Sequence, residues 1–135
     1  MILLYTDVLL DVALDREPHA EASLALLELL ERRPRMAFVA WHTAANFFYL
    51  VRPTRGAEQT RDFLVDLTAF VTVAPSSTAD LRFAASLPLP DLEDAMQVAA
   101  ARACGAQYIA TRNVKDFRKS PIPARTPAQL LEELA

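Results

Sequence analysis

Apolar positions along this chain follow two alternating patterns. Short apolar runs at Ile2–Thr6, Met36–Ala40, Phe70–Val73 and Gln107–Thr111 are separated by longer stretches in which apolar residues recur at helical spacing. Runs of that length, bounded by polar or turn residues, predict buried strands of a parallel sheet. Val8–Leu14 reads as a short helical turn sequence. Pro18 opens a periodic helix through about Arg32, with Ala20, Leu24, Leu27 and Leu30 expected on its inner face, and Pro34 stops it. Thr43 is placed to cap a helix running to about Arg52, and a further amphipathic helix is expected from Gly56 to about Leu67, with Phe63, Leu64 and Leu67 inward. Ser77-Thr-Ala-Asp80 starts a helix ending near Leu87, and Thr126-Pro-Ala-Gln129 is a capping box for the terminal helix. Ile122–Ala124 offers a short edge strand, weakened by Pro121 before it and Pro123 within it.

The stretch from Pro90 to Phe117 organises the rest. Asp91 sits at an N-cap, Glu93 and Asp94 fall in the first helical turn, and alanines keep the helix slim until Cys104-Gly105 ends it. A helix of about 13 residues is about 20 Å long, and a strand of about five residues returns about 17 Å. In a right-handed crossover the helix runs antiparallel to the strand after it. Asp94 and Asp116 are therefore expected at one sheet edge, the carboxyl end of the strands, where open α/β sheets place their sites. The pattern as a whole predicts an α/β fold: a three-layer α/β/α sandwich around a mainly parallel four- to five-stranded sheet, with residues 1–135 forming one domain.

Composition narrows the classes. With 53% apolar and 23% charged residues the chain reads as globular. The single cysteine, Cys104, excludes an internal disulfide and fits a reducing compartment. The opening MILLYTDVLLDV is interrupted by Asp7 and Asp11 and lacks a basic leader, so no signal peptide or membrane span is expected and a cytoplasmic location is. A net charge of −3 argues against holding nucleic acid by bulk electrostatics. Two glycines cannot build a phosphate-cradling loop, and HExxH, CxxC and GxSxG are all missing.

Candidate chemistry gathers at the sheet edge: Asp7 after the first strand, Asp94 by the crossover, and Asn113 with Asp116 after the fourth strand. Clustered oxygens suit a hard divalent ion such as Mg²⁺ or Mn²⁺. Plainer roles stand beside that one. Asp91, Asp7 and Asp116 can serve as caps, Glu93 and Asp94 as first-turn acids, and Asp11 and Asp15 as solvated helix-face charges. His42 reads as structural and Cys104 as apolar filler, while Phe47, Phe48 and Tyr49 read as core or dimer contacts. Arg112, Lys115, Arg118 and Lys119 flank Asp116 and could meet an RNA backbone or form a solvated loop.

Several pieces together carry a resemblance: TDVLLDVALDREP, ANFFYLVR, DLEDAMQVAAA, IATRNVKDF and the closing RTPAQLL. Over almost its full length the chain resembles PIN-domain proteins of the VapC toxin-ribonuclease type. That resemblance implies a Mg²⁺- or Mn²⁺-dependent endoribonuclease with a carboxylate cluster, a cognate antitoxin protein as partner, and a homodimer. The family usually ends its first strand in Asp-Thr-Asn, where this chain has Tyr5-Thr6-Asp7, and has an acid in its third helix, where this chain has Asn46. Carried over, Asp94 and Asp116 would be the principal ligands. Asp7 would compensate as a third ligand from the same strand face as Tyr5. Asn113 and Asn46 would orient ligands, Thr6 and Thr111 would brace them, Asp91 would assist, and Arg112 with Lys115 would meet the RNA. The alternative implied by Tyr5 and Asn46 is a catalytically degenerate PIN domain that binds RNA or a protein without chemistry. A phosphatase or other Mg²⁺ hydrolase on a similar sheet is a third reading.

Overall fold

The computed structural model describes residues 1–135. Short strands β1 (Ile2–Leu4), β2 (Ala37–Val39), β3 (Val71–Val73), β4 (Tyr108–Ala110) and β5 (Ala124–Arg125) form one sheet in the order β3-β2-β1-β4-β5. All neighbouring pairs are parallel, with Leu3 beside Phe38 and Ile109, and Ile109 beside Ala124. The helices are α1 (Thr6–Ala13), α2 (Ala20–Glu31), α3 (Trp41–Arg55), α4 (Ala57–Leu67), α5 (Thr78–Ser86), α6 (Leu92–Ala103) and α7 (Pro127–Leu134). A 3-10 turn at Val114–Phe117 follows β4.

The expected three layers are present because strand side chains alternate between faces. Ile2 and Leu4 point into a core shared with Leu9 of α1, Leu26 and Leu30 of α2, Phe47 and Val51 of α3, and Leu130 of α7. Leu3 points the other way, into a core with Ile109 and with Val98 and Ala101 of α6. Parallel strands buried on both faces explain why those segments are continuously apolar.

Several elements begin elsewhere than the spacing suggested. The first strand stops at Leu4, and α1 already starts at Thr6, with extended Tyr5 at its N-cap. In α2 the inner face is Ala20, Ser23, Leu26, Leu27 and Leu30, while Leu24 is turned outward. Positions three and seven apart share a helical face, and Leu24 lies at its margin. Thr43 is not a cap. Helix α3 starts earlier, at Trp41, and carries Thr43 into the interior. The edge strand after the prolines exists, shifted to Ala124–Arg125. The caps at Ser77, Asp91 and Thr126 are all made as their sequences require, and Gly105 takes a left-handed φ of 71° at the end of α6.

Candidate functional site

Parallel strands all deliver their carboxyl ends to one edge, and α6, antiparallel to β4, brings its N-terminus there too. Asp91 accepts from the backbone N–H groups of Glu93 (2.8 Å) and Asp94 (3.2 Å), which sets the first turn of α6 and presents both side chains to the end of β1. There they meet Tyr5. Its phenolic hydroxyl donates to Asp94 Oδ1 at 2.8 Å and approaches Glu93 Oε1 at 3.2 Å. From the other side, Asn46 of α3 donates its amide to Glu93 Oε2 at 2.6 Å. The Tyr5 ring is held edge-on against Phe117 of the 3-10 turn, with centroids 5.7 Å apart and planes at 78°. A hollow of about 420 Å³ opens beside this cluster, with Tyr49 and Leu50 on its rim.

Charge is crowded at Asp94. Burial raises its carboxyl above the ordinary value, Asp91, Asp116 and Glu93 push in the same direction, and the Tyr5 hydrogen bond opposes them. The Tyr5 hydroxyl is itself pushed strongly up, chiefly by burial and then by its contact with Asp94, so it stays a proton donor.

Asp7 lines the same hollow but is held by a different set of partners. Its Oδ2 accepts from Thr111 Oγ1 (2.7 Å), the Arg112 backbone N–H (3.1 Å) and Asn113 Nδ2 (3.2 Å), all in the loop after β4. The residue is buried, its Oδ1 has no partner, and burial raises its carboxyl. Tyr5 and Asp7 were expected to share a strand face. The helix start at Thr6 instead redirects Asp7, so its Oδ2 goes to the β4 loop while the Tyr5 hydroxyl goes to the head of α6. Asp11, expected in solvent, is buried one turn further on, and its Oδ2 pairs with Arg112 Nε at 2.9 Å. That pairing draws Arg112 inward, toward α1.

The remaining expected residues divide. Asp116 is exposed on the 3-10 turn, near enough to Asp94 to be felt electrostatically, and Lys115 beside it is exposed as well. Thr6 donates to Thr43 Oγ1 (3.3 Å) rather than to an acid. Thr43 also accepts from Gln97 Nε2 (3.0 Å), which lies 3.2 Å from His42 Nε2. This polar chain lies under the edge, and burial lowers the His42 pKa. Sequence reasoning gave Glu93 only the role of a first-turn acid and did not single out Gln97. Glu93 was visible in the same first turn as Asp94, whereas Gln97 carried no signal beyond a polar residue on an apolar helix face.

The donor set does not fit a hydrated Mg²⁺ or Mn²⁺. Such an ion takes carboxylate oxygens that converge with room for several waters. Here no three acidic, histidine or cysteine side chains are placed to share an ion. Asp7 is committed to the β4 loop, and Asp94 and Glu93 already accept from neutral donors of the chain itself.

A parallel sheet of order β3-β2-β1-β4-β5 between helical layers, with acids at its carboxyl edge, defines an α/β/α domain of PIN-like architecture. The chain belongs to the PIN-domain family, whose profile matches residues 1–115. Among curated proteins no sequence matches it. Among solved structures it is similar to VapBC2 from Rickettsia felis, bound to a DNA fragment from its promoter, at 19% identity and a TM-score of 0.71, covering 93% of this chain and 98% of that one. It is similar to FitAcB from Neisseria gonorrhoeae at 17% identity and a TM-score of 0.68, covering 95% and 99%. A third likeness is to DNA-bound VapBC from Salmonella typhimurium, at 15% identity and a TM-score of 0.66, covering 93% and 97%. At these identities the likeness establishes the fold.

Proposed function

We propose that this chain is the toxin-side component of a toxin–antitoxin pair that uses its PIN fold to bind a cognate antitoxin protein and does not hydrolyse RNA through a divalent ion. One observation carries the reading: Tyr5 and Asn46 donate to the acids at the head of α6, and Asp7 Oδ2 is held by the β4 loop, so the anionic set for a metal is not assembled. The choice of partner is supported by the near full-length likeness to VapBC and FitAcB. A second copy of the chain and a cytoplasmic setting belong to the same proposal, and no helix is long and apolar enough to cross a membrane. The test is co-expression with the product of any adjacent gene that encodes a small DNA-binding protein. A stoichiometric complex that survives gel filtration is the expected outcome, and separate elution of the two proteins would refute the pairing.

A second reading is favoured by the crowding of negative charge around Asp94. It is a Mg²⁺- or Mn²⁺-dependent endoribonuclease, with Asp94 and Asp116 at its centre and Lys115 toward the RNA. Incubation of single-stranded RNA with Mn²⁺ separates the two. Cleavage by wild type that disappears in Asp94→Asn selects the nuclease, and equal background in both selects the binding protein.

A further inference from the structure

We infer that Tyr5 and Asn46 together take the place of the divalent cation, so that the acidic edge is closed by two neutral hydrogen-bond donors belonging to the chain. The inference deepens the binding reading above and rests on it for the role of the edge, but its chemistry is separately testable.

Three features support it. First, the two donors engage both acids: the Tyr5 hydroxyl donates to Asp94 Oδ1 with Glu93 Oε1 3.2 Å away, and the Asn46 amide donates to Glu93 Oε2. A cation at this spot would do the same work, drawing two adjacent acids from α6 toward β1 and α3. Second, the donors are held in place. Tyr5 follows β1 directly, and its ring is braced against Phe117, so the hydroxyl does not reach the acids on a free side chain. Asn46 projects from α3 between buried Thr43 and Phe47. Third, neither donor is a useful ligand for a hard ion. A phenol with its ordinary pKa of about 10 is neutral at pH 7, and an amide adds no charge. Two neutral groups therefore stand where an anionic set would be needed.

The consequence is that a single substitution should open a metal site. Replacing Tyr5 by aspartate removes the ring and the donor together and adds a carboxylate facing Asp94. Calorimetric titration of the full-length chain with MnCl₂ alone tests this. Wild type is expected to show no saturable heat at millimolar Mn²⁺, and Tyr5→Asp to give a saturable isotherm with a Kd at least about tenfold below the highest Mn²⁺ concentration used. Saturable binding to wild type that is lost in Asp94→Asn would overturn the inference. So would a Tyr5→Asp protein with wild-type circular dichroism and no gain in affinity.

Should that variant not fold, the wild-type protein still decides. Its Asn46 side-chain amide resonances are expected to stay sharp when paramagnetic Mn²⁺ is added, and selective broadening would refute the closed edge. The two proposals fail separately. An antitoxin complex that does not form leaves the Mn²⁺ result standing, and Mn²⁺ binding by wild type leaves the complex standing.

Discussion

Tyr5 and Asp7 are two positions apart and serve different partners, because the backbone changes from strand to helix between them. On a continuous strand they would have shared a face. On a helix beginning at Thr6, Tyr5 meets α6 and Asp7 meets the loop after β4. Removing only the hydroxyl, in Tyr5→Phe, should cost about 1–2 kcal/mol, as for a hydrogen bond to a charged group whose acceptors can partly rehydrate, read by urea denaturation at pH 7. Asp7 makes a pH prediction. Burial, against the hydrogen bond from Thr111 and that from the Arg112 N–H, raises its carboxyl, so the folded chain holds that proton to higher pH than the unfolded chain does. Between the ordinary carboxylate value, about 3.9, and the raised one, folding takes up a proton, and stability falls as pH rises. Asp94 is shifted in the same direction. Measured across a pH series from about 4 to about 7, the denaturation midpoint of Asp7→Asn should therefore gain on that of wild type as pH increases.

At the level of elements, two devices hold the edge together. The first is the cap of α6, legible in sequence as Asp91 ahead of two acids and an alanine-rich run. Asp91→Ala should cost about 1 kcal/mol by thermal or urea denaturation, because the N–H groups of Glu93 and Asp94 lose their acceptor. The second was not legible. Helix α1 grips three consecutive loop residues, Thr111, Arg112 and Asn113, through Asp7 and Asp11, whose partners lie about a hundred positions away. Spacing marked Asp11 as a surface charge, since its burial depends on where α1 settles against the β4 loop. Arg112→Ala should be the more damaging change, about 3 kcal/mol or more, because it leaves the carboxylate of Asp11 buried without its counter-ion. A urea titration of the variant beside wild type measures it.

For the whole molecule, stability sits mainly in the larger core on one side of the sheet, where Phe47 of α3 is fully buried and stacks on Phe63 of α4 at 4.9 Å. Phe47→Ala should lose about 3–5 kcal/mol, visible as a large drop in urea midpoint, and should not create Mn²⁺ binding in the same preparation. The contrast matters, because it separates loss of the fold from change at the edge.

What this chain's residues determined alone is the succession of elements. Apolar runs of strand length, helical spacing between them, and the caps at Ser77, Asp91 and Thr126 are local signals, so the layered parallel sheet and the placing of the head of α6 beside the loop after β4 follow from spacing and crossover handedness. What only the folded molecule decided is which polar groups share a pocket. Glu93 between Tyr5 and Asn46, Asp7 on the β4 loop, and Gln97 with Thr43 and His42 are partnerships across roughly 40 to 110 positions. Local pattern carries no information about such pairs. They depend on side-chain direction, which changes by about 100° for each residue by which a helix start moves.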